Sequence, residues 1–131
     1  MGKGQAFLNV PDITSRGEIC HLNVIITNPD DENNVLVVPV YTYREKDGKP
    51  FPGQDLSCLI PAGCHPFIKG KSYIRYHNAM SLNLITIFNG LNNGKIIRQA
   101  DFNEKLVYSL QRGAESSPYL PEKFKKFFRY F

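Results

Sequence analysis

Hydrophobic and polar positions alternate over the first hundred residues in short runs that end at turn signals. The segment 21–28 (HLNVIITN) is rich in β-branched residues and ends at a Pro-Asp-Asp turn, and 35–43 (VLVVPVYTY) follows that turn. Two such runs around a turn predict a β-hairpin. Because Pro39 cannot donate to a ladder, we expect a sheet edge or a bulge at that point.

Three more strands are predicted, at 56–60, 71–79 and 82–88. The segment before the first of them, 44–55, is charged and contains two Pro and two Gly, which is typical of a long exposed loop. A second, ordered loop is expected at 64–70.

After residue 100 the pattern becomes helical. Asp101 or Asn103 can cap a helix that runs to about Arg112, with Gly113 as its C-terminal stop. A second helix is predicted to begin near Pro121, because proline suits the first helical turn.

The last helix has an aromatic side and a basic side. Its apolar positions follow the i, i+3, i+4, i+7 rule and are Phe124, Phe127, Phe128 and Phe131. The cations on the other side are Lys123, Lys125, Lys126 and Arg129. In one interpretation the Phe stripe packs on the domain and the cations face water. In the other, the cations contact phosphates or the stripe binds a partner protein. We favour the first, because solvated faces are ordinarily charged.

Short strands followed by helices are typical of an α+β fold. We predict one domain with an irregular N-terminal lead-in at 1–20 and an antiparallel β-barrel core at 21–100. The C-terminal helices at 101–131 then pack on the barrel. The length of 131 residues is usual for a single domain.

Net charge and cysteine content bear on the partners of the protein and on its cellular compartment. The net charge of +4 suits an acidic partner such as nucleic acid, but the charge alone favours a solvated basic surface. Residues 1–10 lack the build of a signal peptide, and the longest apolar stretch, 35–41, is too short to span a bilayer. We therefore expect a cytoplasmic protein with reduced cysteines.

The predicted strand 71–79 carries the best candidates for chemistry. Period-two alternation places Tyr73, Arg75 and His77 on one face, with Arg75 and His77 about 7 Å apart. A neutral imidazole there can take a proton while the guanidinium stabilises developing phosphate charge. The alternative is a solvated polar face whose residues only keep the sheet soluble. The frequency of His and Arg on solvated strands favours this alternative.

No Walker loop, G-x-S-x-G elbow or H-E-x-x-H motif is present. The three cysteines, Cys20, Cys58 and Cys64, and the histidines His21 and His65 fit no standard zinc spacing. We expect no metal site and no cofactor. His65 is instead expected to hydrogen-bond to the backbone and hold its loop.

The segments HLNVIIT, VLVVPV and CLIPAGCHPFIKGKSYIRYHNAM, in this order, resemble the PemK/MazF-like toxins of bacterial toxin–antitoxin modules. The chain is most similar to a divergent branch with a G-x-HPFI-x(3)-S pattern and an SP-x-x-P ending before a basic helix, here at 117–121. The resemblance covers about 17–131. It implies an SH3-like barrel, a homodimer, a single-stranded RNA substrate cleaved without a metal, and a small antitoxin as partner.

In the mechanism that the resemblance implies, a 2′-hydroxyl attacks the adjacent phosphate, with a base, an acid and an anion stabiliser close by. Some members carry a strand that reads Ser, two apolar residues, Arg, one residue and an acid. Here Ser72 and Arg75 match that order, and His77 stands in the place of the acid. Arg75 is then expected as acid or charge stabiliser, and His77 as base.

The family's first strand commonly begins with Arg-Pro, where this chain has Cys20-His21. His21 is expected to take over the charge-stabilising role. The expected RNA contacts are the neighbouring cations and aromatic side chains, Lys69, Lys71, Tyr73 and Tyr76, and the residues expected to structure the loop are His65 and Phe67.

Two functions stay open at this point. The first is a toxin-like, metal-independent endoribonuclease, supported by the resemblance and by Arg75 and His77. The second is a non-catalytic SH3-like binding module for a protein or nucleic acid, which the missing Arg-Pro pair favours. A metal-dependent enzyme built on the cysteines and histidines ranks last.

Overall fold

The computed structural model describes residues 2–9 and 21–131. The strands are β1 (Ala6–Asn9), β2 (Leu22–Ile25), β3 (Asn34–Thr42), β4 (Glu45–Lys46), β5 (Lys49–Pro50), β6 (Leu59–Ile60), β7 (Ser72–Ile74), β8 (Met80–Asn83) and β9 (Ile96–Gln99). The helices are α1 (Leu84–Asn93) and α2 (Glu104–Ser116), with two 3-10 helices at Tyr76–Asn78 and Glu122–Tyr130.

The main sheet is antiparallel, in the order β6-β7-β3-β2-β1-β9. The long strand β3 pairs with β2 on one side. On its other side it pairs with β8 at its beginning and with β7 at its end. The predicted α+β class is confirmed. Within the described residues, however, the sheet is open, with β6 and β9 at its edges, and no closed barrel is formed.

Alternate residues of each strand point to opposite sides of the sheet. Apolar residues occupy both kinds of position, so both faces of the sheet are apolar. One face packs against α2 and the C-terminal 3-10 helix through Leu22, Val24, Leu36, Val38, Val40 and Ile74. The other face packs against α1 through Phe7, Ile25, Val35, Val37 and Ile87. In this second cluster β2 is represented by Ile25 and β3 by Val35 and Val37.

The predicted strand 71–79 is interrupted, and Pro39 gives the reason. The Pro39 carbonyl accepts a hydrogen bond from the Arg75 N–H (3.2 Å). In an antiparallel ladder the N–H and C=O of one residue point the same way, so the missing proline N–H faces this same neighbour. β7 ends at Ile74, a 3-10 helix follows, and the chain returns to β3 as β8. The prediction of one continuous strand is therefore wrong. Pro39 lies at a gap in the ladder, since the pairing of β3 with β7 starts at Val40 and its pairing with β8 ends at Val37.

The predicted strand 82–88 is also wrong, because helix α1 begins inside it. The Asn83 side-chain oxygen accepts a hydrogen bond from the Ile85 N–H (3.0 Å) and caps the helix. Gly94, with φ of 80°, ends it in the left-handed conformation that favours glycine. The short apolar run of this segment does not by itself distinguish a strand from a buried helix.

The predicted irregular lead-in, 1–20, is wrong for Ala6–Asn9, which forms β1 between β2 and β9. The remainder of that prediction, 10–20, lies outside the described residues, and so does Cys20.

Helix α2 begins after Asn103, as predicted, and the Asn103 side-chain oxygen accepts a hydrogen bond from the Leu106 N–H (2.8 Å). It does not stop at Gly113 but continues to Ser116. Gly113 lies where α2 packs tightly against Cys58 and Tyr76. A Cβ atom there would lie 2.7 Å from the Cys58 Cβ and would overlap the Tyr76 hydroxyl. The glycine therefore allows close packing rather than ending the helix.

The C-terminal 3-10 helix begins where the second helix was predicted. Phe124 and Phe127 are buried, and Phe128 and Phe131 are partly buried against the same core. The cations of this helix are exposed. The interpretation in which the Phe stripe packs on the domain is confirmed. No helix in the described part of the chain combines the length and apolar character needed to cross a membrane.

Candidate functional site

A cleft of about 530 Å³ lies at the end of the sheet where β2 begins, β3 ends and β7 begins. This volume falls in the range of ligand-binding pockets. Two loops complete its walls, 51–54 after the β4–β5 hairpin and 67–70 before β7. The polar and charged side chains that line it are His21, Tyr41, Thr42, Arg44, Gln54, Lys69, Ser72, Tyr73 and Arg75.

A row of three rings crosses the strands at the cleft. Leu22 pairs with Val40, so the preceding His21 lies beside Tyr41, and Tyr41 pairs with Tyr73. The His21 and Tyr41 rings are stacked, with centroids 4.0 Å apart and planes 17° apart. The Tyr41 and Tyr73 centroids are 5.8 Å apart. Cross-strand aromatic pairs of this kind hold each other in position.

Arg75 reaches the same row from the turn that follows β7. Its guanidinium carbon lies 5.4 Å from the Tyr41 ring centroid, which is within the range of a cation–π contact. The Asn78 side-chain N–H donates to the Tyr41 hydroxyl (2.9 Å) and fixes this ring from its polar end. The imidazole of His21 and the guanidinium of Arg75 therefore contact one and the same tyrosine.

The charge of the cleft is positive. Among the described residues that line it, the charged side chains are Arg44, Lys69 and Arg75, and none is a carboxylate. Cations of one sign on the walls of a concave site raise the local concentration of anions. Burial raises the pKa of the Tyr73 phenol, against the opposing charge of Arg75, so this hydroxyl stays a neutral hydrogen-bond donor at physiological pH.

The structure does not bring Arg75 and His77 together at the cleft. His77 is exposed in the 3-10 turn and does not line the cleft, because the turn opposite Pro39 ends the period-two alternation after Ile74. The predicted placement of both on one strand face is wrong. His21, expected only as a substitute charge stabiliser, is the imidazole that lies with Arg75.

The same turn moves Tyr76 into the core. Its ring is fully buried, and its hydroxyl donates to the Leu110 carbonyl (2.6 Å). This ring cannot stack on RNA in the folded protein, so the predicted contact is corrected. Ser72 lines the cleft, but its hydroxyl donates to the Gly70 carbonyl (2.9 Å). Lys71 lies outside the lining residues, with its ammonium 4.3 Å from the Tyr43 ring centroid.

His65 makes the backbone hydrogen bonds expected of it. Its Nδ1 accepts from the Phe67 N–H (3.0 Å), so its Nε2 carries the proton and donates to the Ala100 carbonyl (2.6 Å). The buried imidazole thereby ties the 64–70 loop to the segment after β9. Phe67 itself is exposed and lines the cleft, while Lys69 lines it from the same loop.

Tyr41 and Arg44 are site residues that the sequence analysis missed. A signal for Tyr41 existed, because one particular hairpin register places His21 opposite it. That register depends on the conformation of the connecting turn, which the sequence pattern alone left undetermined. No sequence pattern identified Arg44 as a site residue. Its backbone is held at the cleft by hydrogen bonds with Gln54, a residue ten positions further along the chain.

Among the described residues, no group of three or more His, Cys, Asp or Glu side chains is placed to hold a metal ion. Comparisons of the chain with family models, with curated proteins and with solved structures each found no match. The residues of the cleft are therefore the basis for inferring function.

Proposed function

We propose that the cleft binds single-stranded RNA and cleaves it without a metal, as a toxin-like endoribonuclease. One observation carries this proposal: an imidazole and a guanidinium contact the same ring, Tyr41, in a cleft whose described charged residues are all cations. RNA offers the phosphates that cations bind and the unpaired bases that aromatic rings stack on.

In the proposed reaction, His21 accepts the proton of a ribose 2′-hydroxyl while that oxygen attacks the adjacent phosphorus. The bond from phosphorus to the 5′-oxygen breaks, and this oxygen takes a proton from solvent. Arg75 stabilises the negative charge that develops on the phosphoryl oxygens. The products are a 2′,3′-cyclic phosphate and a 5′-hydroxyl end, and His21 returns its proton to solvent.

The test is incubation of the purified protein with a long single-stranded RNA in EDTA, beside His21→Gln and Arg75→Gln. His77→Gln is the matched control, because His77 is an exposed imidazole outside the cleft. We expect the wild type and His77→Gln to cleave equally, and the two cleft variants to lose activity by about a hundredfold or more. Intact RNA with folded wild-type protein, or full cleavage by His21→Gln, overturns the proposal.

A second candidate function is RNA binding without cleavage. It is favoured by the fact that, among the described lining residues, His21 is the only imidazole, so no second acid–base side chain of that kind assists it. Binding of RNA by the wild type, with no cyclic phosphate formed after prolonged incubation, selects this candidate over the endoribonuclease.

The proposal includes a relation to the PemK/MazF-like toxins, and with it a homodimer and a small antitoxin as partner. The resemblance of the segments around HPFI and SP-x-x-P supports it. We expect expression of the chain alone to arrest bacterial growth, and co-expression of a small protein encoded by an adjacent gene to relieve the arrest. Unchanged growth at high expression of folded protein contradicts the toxin role.

A further inference from the structure

Two phenylalanines stand exposed on the walls of the cleft. Phe51 is 48% exposed and Phe67 is 39% exposed, and they belong to the two loops that complete the cleft. Single exposed apolar residues are normal on a protein surface. These two differ because they flank the same concave site as Arg44, Lys69 and Arg75.

The backbone of each phenylalanine is held in place although its ring is exposed. The Phe51 N–H donates to the Arg44 carbonyl (3.0 Å). The Gln54 side chain closes the same loop by accepting from the Arg44 N–H (2.7 Å) and donating to its carbonyl (2.8 Å). The Phe67 N–H donates to His65, which is itself tied to the Ala100 carbonyl. Because these backbones are already held, only the side-chain torsions of the two rings are left to be ordered when a ligand binds.

We infer that Phe51 and Phe67 are base-stacking residues for the single-stranded RNA whose phosphates contact the cations of the cleft. This inference rests on the proposed function. It adds to that function that unpaired bases, and not the phosphates alone, contribute to binding. Because every base has a π-face, the stacking is tolerant of sequence.

The test measures binding of a fluorescently labelled 2′-O-methyl oligoribonucleotide, which lacks the attacking hydroxyl and so cannot be cleaved by the proposed route. The variants are Phe51→Leu and Phe67→Leu, and the matched control is Phe88→Leu, an exposed phenylalanine on α1 that does not line the cleft. We expect each cleft variant to bind about tenfold more weakly, with an unchanged salt dependence. Phe88→Leu should bind like the wild type, and Phe51→Tyr should retain affinity because the ring remains.

A second oligonucleotide carries abasic riboses in place of all nucleosides and keeps the phosphates. Wild-type affinity should fall on this strand, and the difference between the wild type and the Phe→Leu variants should disappear. If the wild type binds the intact strand but both variants bind within about twofold of it, the stacking inference is overturned and RNA binding stands. If the folded wild type binds neither strand at low salt, both the inference and the proposed function are overturned.

Discussion

One face of the sheet has two ends that differ sharply, although the same strands build both. At one end, Ile25, Val35 and Val37 pack against Ile87 of α1. At the other end, the same alternation of β2 and β3 presents His21 and Tyr41, and none of the helices in residues 2–9 and 21–131 lines the cleft beside them. Loops wall this second end instead and leave a cleft.

This comparison shows that strand alternation decides which side chains share a face, while the connections decide whether that face becomes core or cleft. The packed end carries apolar side chains that are buried against one another and against Phe7. The cleft end carries rings and cations whose polar groups need water or a ligand. We therefore expect substitutions at the packed end to change stability, and substitutions at the cleft end to change RNA binding.

The largest effect on stability is expected at the packed end. Ile87 is fully buried, and Ile87→Ala should lower the free energy of unfolding by about 2–5 kcal/mol, since it removes buried methyl groups and leaves a cavity. The adjacent Phe88 is 57% exposed, so Phe88→Ala should change the free energy of unfolding by no more than about 0.5 kcal/mol. Urea unfolding measures both. Equal losses would show that α1 does not cover the sheet as described.

A smaller loss is expected where α2 closes over the opposite face. Gly113→Ala places a methyl group against the Tyr76 hydroxyl and the Cys58 side chain, and it should cost about 1–3 kcal/mol through overpacking. Gly70→Ala is the matched control, because nothing lies within 4 Å of a Cβ atom at that position. If both glycine variants unfold at the same urea concentration as the wild type, the turn that carries Tyr76 does not pack against α2.

Alkaline pH should also lower the stability of this core. Burial raises the pKa of the Cys58 thiol to about 11 from an ordinary value of 9.0, and burial raises the pKa of the Tyr76 phenol as well. Between pH 9 and about 11 the Cys58 thiol has lost its proton in the unfolded chain but keeps it in the folded chain. The free energy of unfolding therefore falls as the pH rises through this window.

Urea unfolding at a series of pH values in this window measures the loss. Cys58→Ala should reduce its slope, because the buried thiol is then absent while Tyr76 remains. A stability that does not change up to about pH 11 contradicts the burial of these two groups.

The smallest effect on stability is expected at the cleft. Arg75 is half-buried and contacts Tyr41 from the rim, so Arg75→Gln should change the free energy of unfolding by less than about 1 kcal/mol. The same variant should lose RNA binding and cleavage. If the free energy of unfolding falls by about 2 kcal/mol or more, Arg75 is a structural residue and the contrast between the two ends fails.

Much of the fold followed from local patterns. The turn between β2 and β3 forms at Asp30, whose carboxylate accepts hydrogen bonds from the Glu32 and Asn34 N–H groups (both 2.9 Å). The sequence pattern also predicted the cap at Asn103 and the buried Phe stripe of the last helix. In each case the residues that interact are close in sequence, or they repeat with the period of one element.

The candidate site was only half predictable. Arg75 was identified with the wrong partner, His77, because the alternation of 71–79 was extended through a point that Pro39 interrupts. Nothing within 71–79 signals this interruption, since the missing hydrogen-bond donor belongs to another strand.

The sequence by itself determined the strand-rich core, the α+β class, the cap of α2 and the apolar stripe of the C-terminal helix. Only the tertiary structure decided that the chain turns after Ile74, that Tyr76 is buried, and that His21 lies with Arg75 against Tyr41. The physical reason is that sheet register and ladder interruptions depend on residues far apart in sequence, whereas propensities and caps act within a few residues.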